Sequence, residues 1–211
     1  MSLVRPLIGV DFDNTLVGYD ELIYEVARDR GLVNEEIPRR KQAIRDVIRQ
    51  SAGGDRAWQE VQTVVYGERI AQAQVIDGVE DFLQQCQTRG IKVVVISHKT
   101  DLAGGLRPEV NLRAAAMAWM TRHRFFEPGG LGFSPADIYF ESSRLEKVAR
   151  IHQVGCTHFI DDLEETFLEA SFSSGVEPIL YRAHGGTSIL PGVKAFATWR
   201  QISEYFFGTI P

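Results

Sequence analysis

Apolar and polar positions follow two different rhythms along this chain. From about Lys92 onward, short apolar runs alternate with segments of helical periodicity. Val93–Ile96, Ile138–Phe140, His158–Ile160 and Pro178–Tyr181 read as strands, being brief and rich in β-branched or aromatic residues. Leu112 to His123, Leu145 to Gln153, Glu164 to Ala170 and Trp199 to Phe207 read as the intervening and closing helices. Ser143-Arg144-Leu145-Glu146 has the form of a capping box, in which two orphan backbone donors are satisfied reciprocally. Leu7–Val10, near the start, is one more short apolar run. Strands alternating with helices imply βαβ units. The expected fold class is therefore α/β, a Rossmann-like parallel sheet with helices on both faces.

Residues 18–76 break that rhythm, and no strand is expected in them. Leu22, Ile23, Val26 and Ala27 make one helical stripe, and Ala43, Ile44, Val47 and Ile48 a second. Trp58, Val61, Val64, Val65 and Ile70 make a third, with breaks at Gly31 to Pro38 and Ser51 to Asp55. These read as a small inserted all-helical cap (18–76), with residues 1–17 and 77–211 forming the core.

Composition places the chain among ordinary globular proteins. Its 211 residues are 44% apolar and 24% charged, with a net charge of −5 that argues against a nucleic-acid surface. Charges in the cap nearly cancel, nine basic against ten acidic, so it offers no general positive field. No run of about 18 apolar residues is present, so no membrane span is expected. Met1 to Pro6 lacks the apolar core of a secretory signal. Only Cys86 and Cys156 occur, in no metal-like spacing, which fits buried thiols in a reducing, cytoplasmic setting.

The chemistry begins where Leu7–Val10 runs into Asp11-Phe12-Asp13-Asn14-Thr15. In open α/β sheets ligands bind at the carboxyl ends of the strands. Alternation along an extended chain puts Asp11 and Asp13 on one side. Two like charges held so close repel, and a fold gains nothing from them without a cation between. Three further groups fall at corresponding places: Ser97-His98-Lys99-Thr100, Lys147, and Asp161-Asp162. In order and placement these four resemble the motifs of the haloacid dehalogenase-like phosphohydrolase superfamily: Asp-x-Asp-x-Thr, a strand-terminal Ser or Thr, a Lys, and a strand-terminal acidic pair.

That resemblance implies a Mg²⁺-dependent phosphatase acting on a small phosphomonoester through an aspartyl-phosphate. Asp11 is the expected nucleophile and Asp13 the general acid and base. Ser97 would donate to a phosphoryl oxygen and Lys147 supply positive charge, with Lys99 a rival for that role. Asp11, Asp13, Asp161 and Asp162 form the expected all-oxygen metal set. Thr15, His98, Lys99 and Arg45 are candidate substrate contacts. Arg45 shares a helix face with Lys41 and Arg49, either a solvated surface or a wall for a second acidic group. Asp162 also suits the N-cap of the next helix, with Glu165 at the third position. Asp13 argues against dehalogenase chemistry. A phosphomutase or other phosphotransferase, and a non-catalytic metal-containing binding module, remain the alternatives. The expected partner is a small phosphorylated metabolite, with no membrane and no nucleic acid; the oligomeric state is not readable.

Overall fold

A computed structural model describes residues 6–103, 107–127, 129–172, 174–188 and 190–208. The reading of the first five residues as a non-secretory start therefore lies outside the described residues. In chain order the elements begin with β1 (Leu7–Val10), β2 (Val17–Gly18), α1 (Asp20–Asp29), α2 (Lys41–Arg49) and α3 (Gly54–Thr63). A π-helical turn at Val64–Glu68 and a 3₁₀ turn at Ile70–Gln72 lead to β3 (Gln74–Val75) and α4 (Val79–Thr88). Then come β4 (Lys92–His98), β5 (Leu102–Ala103), β6 (Arg107–Asn111), α5 (Leu112–Arg122), β7 (Ile138–Glu141) and α6 (Arg144–Val154). The chain closes with β8 (His158–Asp161), α7 (Glu164–Phe167), β9 (Glu177–Tyr181), β10 (Lys194–Phe196) and α8 (Trp199–Phe207).

The residues divide into two compact units: Met1–Leu16 with Val75–Lys99 and Arg124–Pro211, and Val17–Gln74 with Thr100–His123. The first holds a six-stranded sheet ordered β10-β9-β8-β1-β4-β7, with the described strand pairs parallel. Val94 and Ile96 of β4 pack with Ile151 of α6 and Phe159 of β8. Val95 points to the opposite face and is equally buried, so both faces are covered, as an all-parallel sheet requires. Chain direction across the sheet reverses between β1 and β8. Such a switch point opens a crevice at the carboxyl ends of the strands.

The second unit holds the three expected cap helices. Ile44 and Ile48 of α2, Trp58 and Val61 of α3, and Leu22, Ile23, Val26 and Ala27 of α1 are its buried apolar face. It also takes in residues 100–123, which periodicity alone assigned to the core. The reason is packing: α5 lies against the π and 3₁₀ turns, and the buried Trp119 Nε1 donates to the Ala73 carbonyl at 2.9 Å. Gly67 is required there, because a Cβ would stand 2.2 Å from Val110 Cγ1.

Three further local expectations need correction. The β2–β3 ribbon, two residues a strand, is too short to show a period, and in the antiparallel β5–β6 hairpin the sequence of β6, Arg107-Pro108-Glu109-Val110-Asn111, is mostly polar. The helix expected over 164–170 stops at Phe167. The Ser143 hydroxyl does accept from the Glu146 N–H at 3.2 Å, but the Glu146 carboxylate reaches back to the Ser142 N–H at 3.0 Å. The box is thus displaced by one residue on one side.

Candidate active site

Asp11 leaves the end of β1, with its backbone N–H still donating to the Ile160 carbonyl of β8 at 2.9 Å. Asp161 ends β8, and Ser97 lies near the end of β4 in register with Phe140. Because β1 lies between β8 and β4, one edge of the sheet carries all three, and all three are buried. Beyond Asp13 the chain turns through Asn14, a non-glycine residue in the left-handed region at φ 59°. Asn tolerates that conformation better than most residues do.

Lys147 sits in the first turns of α6 and is only 2% exposed. Its Nζ donates to Asp11 Oδ1 and to Asp161 Oδ2, each at 2.6 Å. Beneath it lies the Phe159 ring, with Nζ 5.4 Å from the centroid. Gly9 makes room for that ring, since a Cβ there would stand 2.6 Å from Phe159 Cδ2. An isolated glycine inside an apolar strand is the sequence signal for such a close approach.

A carboxylate oxygen from each of Asp11, Asp161 and Asp162 lies within 4.8 Å of the others. One ammonium thus bridges two of the three carboxylates. Burial pushes the Asp11 carboxyl up to about 6, against the pull of Lys147 and with Asp161 and Asp13 adding their repulsion. Burial alone would lower the Lys147 ammonium. The Asp11 and Asp161 charges and hydrogen bonds together hold it above the ordinary lysine range. A cluster of hard oxygen donors with surplus negative charge fits a hard divalent cation.

The Asp13 carboxylate is not part of that cluster. Lys99 Nζ straddles it, 3.0 Å from Oδ1 and 2.8 Å from Oδ2. Lys99 lies just past the end of β4. It is buried, 4% exposed, with its backbone N–H bonded to the Glu141 carbonyl at 2.9 Å. Each aspartate of the first motif therefore has its own buried lysine.

The remaining candidates divide. Thr15 is fully buried, and its Oγ1 accepts from the Asp162 N–H at 3.1 Å, tying the two acidic loops together. Asp162 does not cap α7: Leu163 precedes that helix, and its N–H donates to Asp161 Oδ1 at 3.0 Å. His98 is exposed, with Nε2 3.2 Å from the Ser142 carbonyl. Arg45 belongs to the other unit, where its guanidinium pairs with Asp46 at 2.9 Å, and Arg49 pairs with Asp55 at 2.9 Å. Two members of the supposed anion wall are thus engaged by local acids. Sequence reasoning missed Trp199, whose Nε1 donates to the Thr15 carbonyl at 2.9 Å. It lies 184 residues away, and no local pattern announces the contact.

No family model and no curated protein matches the sequence. Solved structures do. A haloacid dehalogenase-like family hydrolase from Streptococcus pneumoniae superposes with a TM-score of 0.61 at 14% identity, over 96% of this chain and 98% of that one. A HAD family hydrolase from Deinococcus radiodurans, with bound phosphate and sodium, gives 0.58 at 13% identity, over 96% and 95%. A predicted phosphoglycolate phosphatase from Haemophilus somnus gives 0.55 at 15% identity, over 98% and 100%. The fold is that of the HAD-superfamily hydrolases.

Proposed function

We propose that this protein is a Mg²⁺-dependent phosphatase that hydrolyses a small phosphomonoester through a phosphorylated Asp11. The observation that carries the reading is Lys147 Nζ, 2.6 Å from both Asp11 and Asp161, two members of a cluster of three carboxylates. A preorganised cation at the attacking carboxylate is what phosphoryl transfer requires, since positioning and charge stabilisation dominate that chemistry. The bound phosphate of the Deinococcus protein and the phosphoglycolate ester in the name of the Haemophilus protein suit the same reading.

In this mechanism Asp11 attacks phosphorus in line, and the bond to the leaving oxygen breaks. Asp13 gives that oxygen a proton, then takes one from the water that releases phosphate from Asp11. Lys99 holds Asp13 in place beside Asp11. Ser97 donates to a phosphoryl oxygen. Asp11, Asp161 and Asp162 would hold the Mg²⁺, whose charge lets a carboxylate approach a phosphate dianion. Thr15 supports Asp162, while His98 stands beside the site as a candidate substrate contact. Two buried thiols, both pushed up to about 12 by burial, accord with a reducing, cytoplasmic setting. No helix among the described residues is long and apolar enough to cross a membrane.

The direct test is release of phosphate from an aryl phosphate with Mg²⁺ and with EDTA, followed by a panel of nucleotides, sugar phosphates and phosphorylated hydroxy acids. Turnover that needs Mg²⁺ is expected, and a folded protein inert toward the whole panel would overturn the reading.

Two further results are expected. Asp13→Asn should slow esters with poor leaving groups by about 10²- to 10⁴-fold, the usual range for general acid catalysis. Esters with very good leaving groups should lose far less in the first half-reaction. Equal losses in single-turnover measurements would remove Asp13 from the acid role. The second concerns pH. Asp11 binds a metal only as the carboxylate, and in the metal-free protein its pKa lies near 6. Below that value Mg²⁺ must displace a proton, so apparent affinity should climb as pH rises toward 6 and level off above it. Calorimetry in buffers of different ionisation enthalpy checks this. Proton release on binding is expected at pH 5.5 and almost none at pH 7.5.

A further inference from the structure

The first turn of α8 reaches into the site. Trp199 is fully buried, and three things fix its ring. Phe82 lies 5.0 Å from it and Tyr181 6.0 Å, centroid to centroid. Gly78, at φ 82°, passes so close that a Cβ would stand 3.0 Å from Trp199 Cβ. The helix itself starts on a full capping box, Thr198 with Gln201. From this platform the indole N–H meets the Thr15 carbonyl at 2.9 Å. The Thr15 hydroxyl in turn accepts from the Asp162 N–H at 3.1 Å. Between Asp13 and Thr15 the backbone passes through Asn14 in the left-handed region. Such a conformation persists only where its surroundings over-determine it. Ring packing alone would leave the buried Thr15 carbonyl without this donor, at the residue that links both acidic segments.

We infer that Trp199 is a positioning residue for the metal-holding carboxylates. Its indole N–H pins the Asp11–Thr15 loop, and through Thr15 it sets where Asp162 lies relative to Asp11. The inference rests on the proposed Mg²⁺ site, and it assigns the C-terminal helix a part in that site. A residue acting in this way should alter metal affinity and kcat while leaving substrate KM nearly unchanged.

The test replaces Trp199 with benzothienylalanine, which keeps the ring's shape and exchanges the N–H for sulfur. Mg²⁺ affinity of the metal-free protein is read by calorimetry, alongside kcat and KM. Wild-type protein comes first: if it neither binds Mg²⁺ nor hydrolyses phosphate esters, the proposed function fails and the Trp199 link is not what failed. Given a working wild type, the isostere is expected to bind Mg²⁺ about tenfold more weakly, the lower end of losses seen when residues that orient ligands are removed. A fall in kcat with little change in KM is expected beside it. The Trp199 indole N–H resonance, assigned by its loss in Trp199→Phe, should shift when Mg²⁺ is added to wild type. Phe82→Leu loosens the same packing while keeping the indole N–H, and should cost less Mg²⁺ affinity than the isostere does. Equal Mg²⁺ affinity in isostere and wild type, or an equal loss in Phe82→Leu, would overturn the inference.

Discussion

Lys147→Met is expected to cost both stability and turnover, and to make the fold lean on Mg²⁺. The lysine is buried and bonded to two carboxylates at 2.6 Å, so its loss strands Asp11 and Asp161 as buried charges without their shared partner. Breaking a buried ion pair from one side costs about 3–5 kcal/mol. For a chain of this length that corresponds to a fall in melting temperature of roughly 6–20 °C in EDTA. Added Mg²⁺ should recover much of the loss, because it neutralises the same carboxylates only in the folded state. Turnover should fall on the order of 10²- to 10³-fold, the usual effect of removing one charge-stabilising donor. Thermal melts with and without Mg²⁺ and steady-state kinetics read both quantities. A variant melting like wild type in EDTA would mean that the Lys147 contacts contribute little. Lys99→Ala provides the contrast: it removes one partner of Asp13 and leaves the Asp11–Lys147–Asp161 bridge intact.

Asp11→Asn should behave in the opposite way. Its amide oxygen can still accept from Lys147, and a carboxyl whose pKa burial raises to about 6 becomes permanently neutral. Metal-free stability should therefore hold or rise slightly. Hydrolysis should drop by roughly 10⁴- to 10⁶-fold, as when a covalent nucleophile is removed. Matching circular dichroism spectra and phosphate-release assays on the purified variant decide it. Substantial remaining turnover would exclude a phosphorylated Asp11.

What the sequence made legible was whatever has a short period or a short spacing. The Val93–Ile96 run foretold β4, and Asp11, Lys147 and Asp161, which meet in the structure, stood out as polar groups at or beside strand ends. The helical stripes of residues 18–76 were equally plain. Long-range packing was not. Nothing between Thr100 and His123 signals that Trp119 will bond to Ala73, so α5 looked like part of the core. The fixed position of Lys99 depends on Glu141, 42 positions on, through a backbone carbonyl that has no residue signature. The Trp199 bond to Thr15 is of the same kind. The Lys41–Arg45–Arg49 face left two readings open in the sequence, and in the structure Arg45 and Arg49 pair with the nearby Asp46 and Asp55.

The division of the chain into interleaved segments has a consequence for its birth. The helical unit needs nothing beyond His123, whereas β1 needs β8, whose last residue is Asp161. Chains emerge from the ribosome amino end first, and their parts fold as units when complete. The helical unit can therefore close while the sheet is still being made. In that interval β1 has β4 on one side and nothing on the other, its apolar edge open until His158 to Ile160 arrive. The same strand delivers Asp11, so the edge that carries the acidic cluster is among the last parts of the molecule to be sealed.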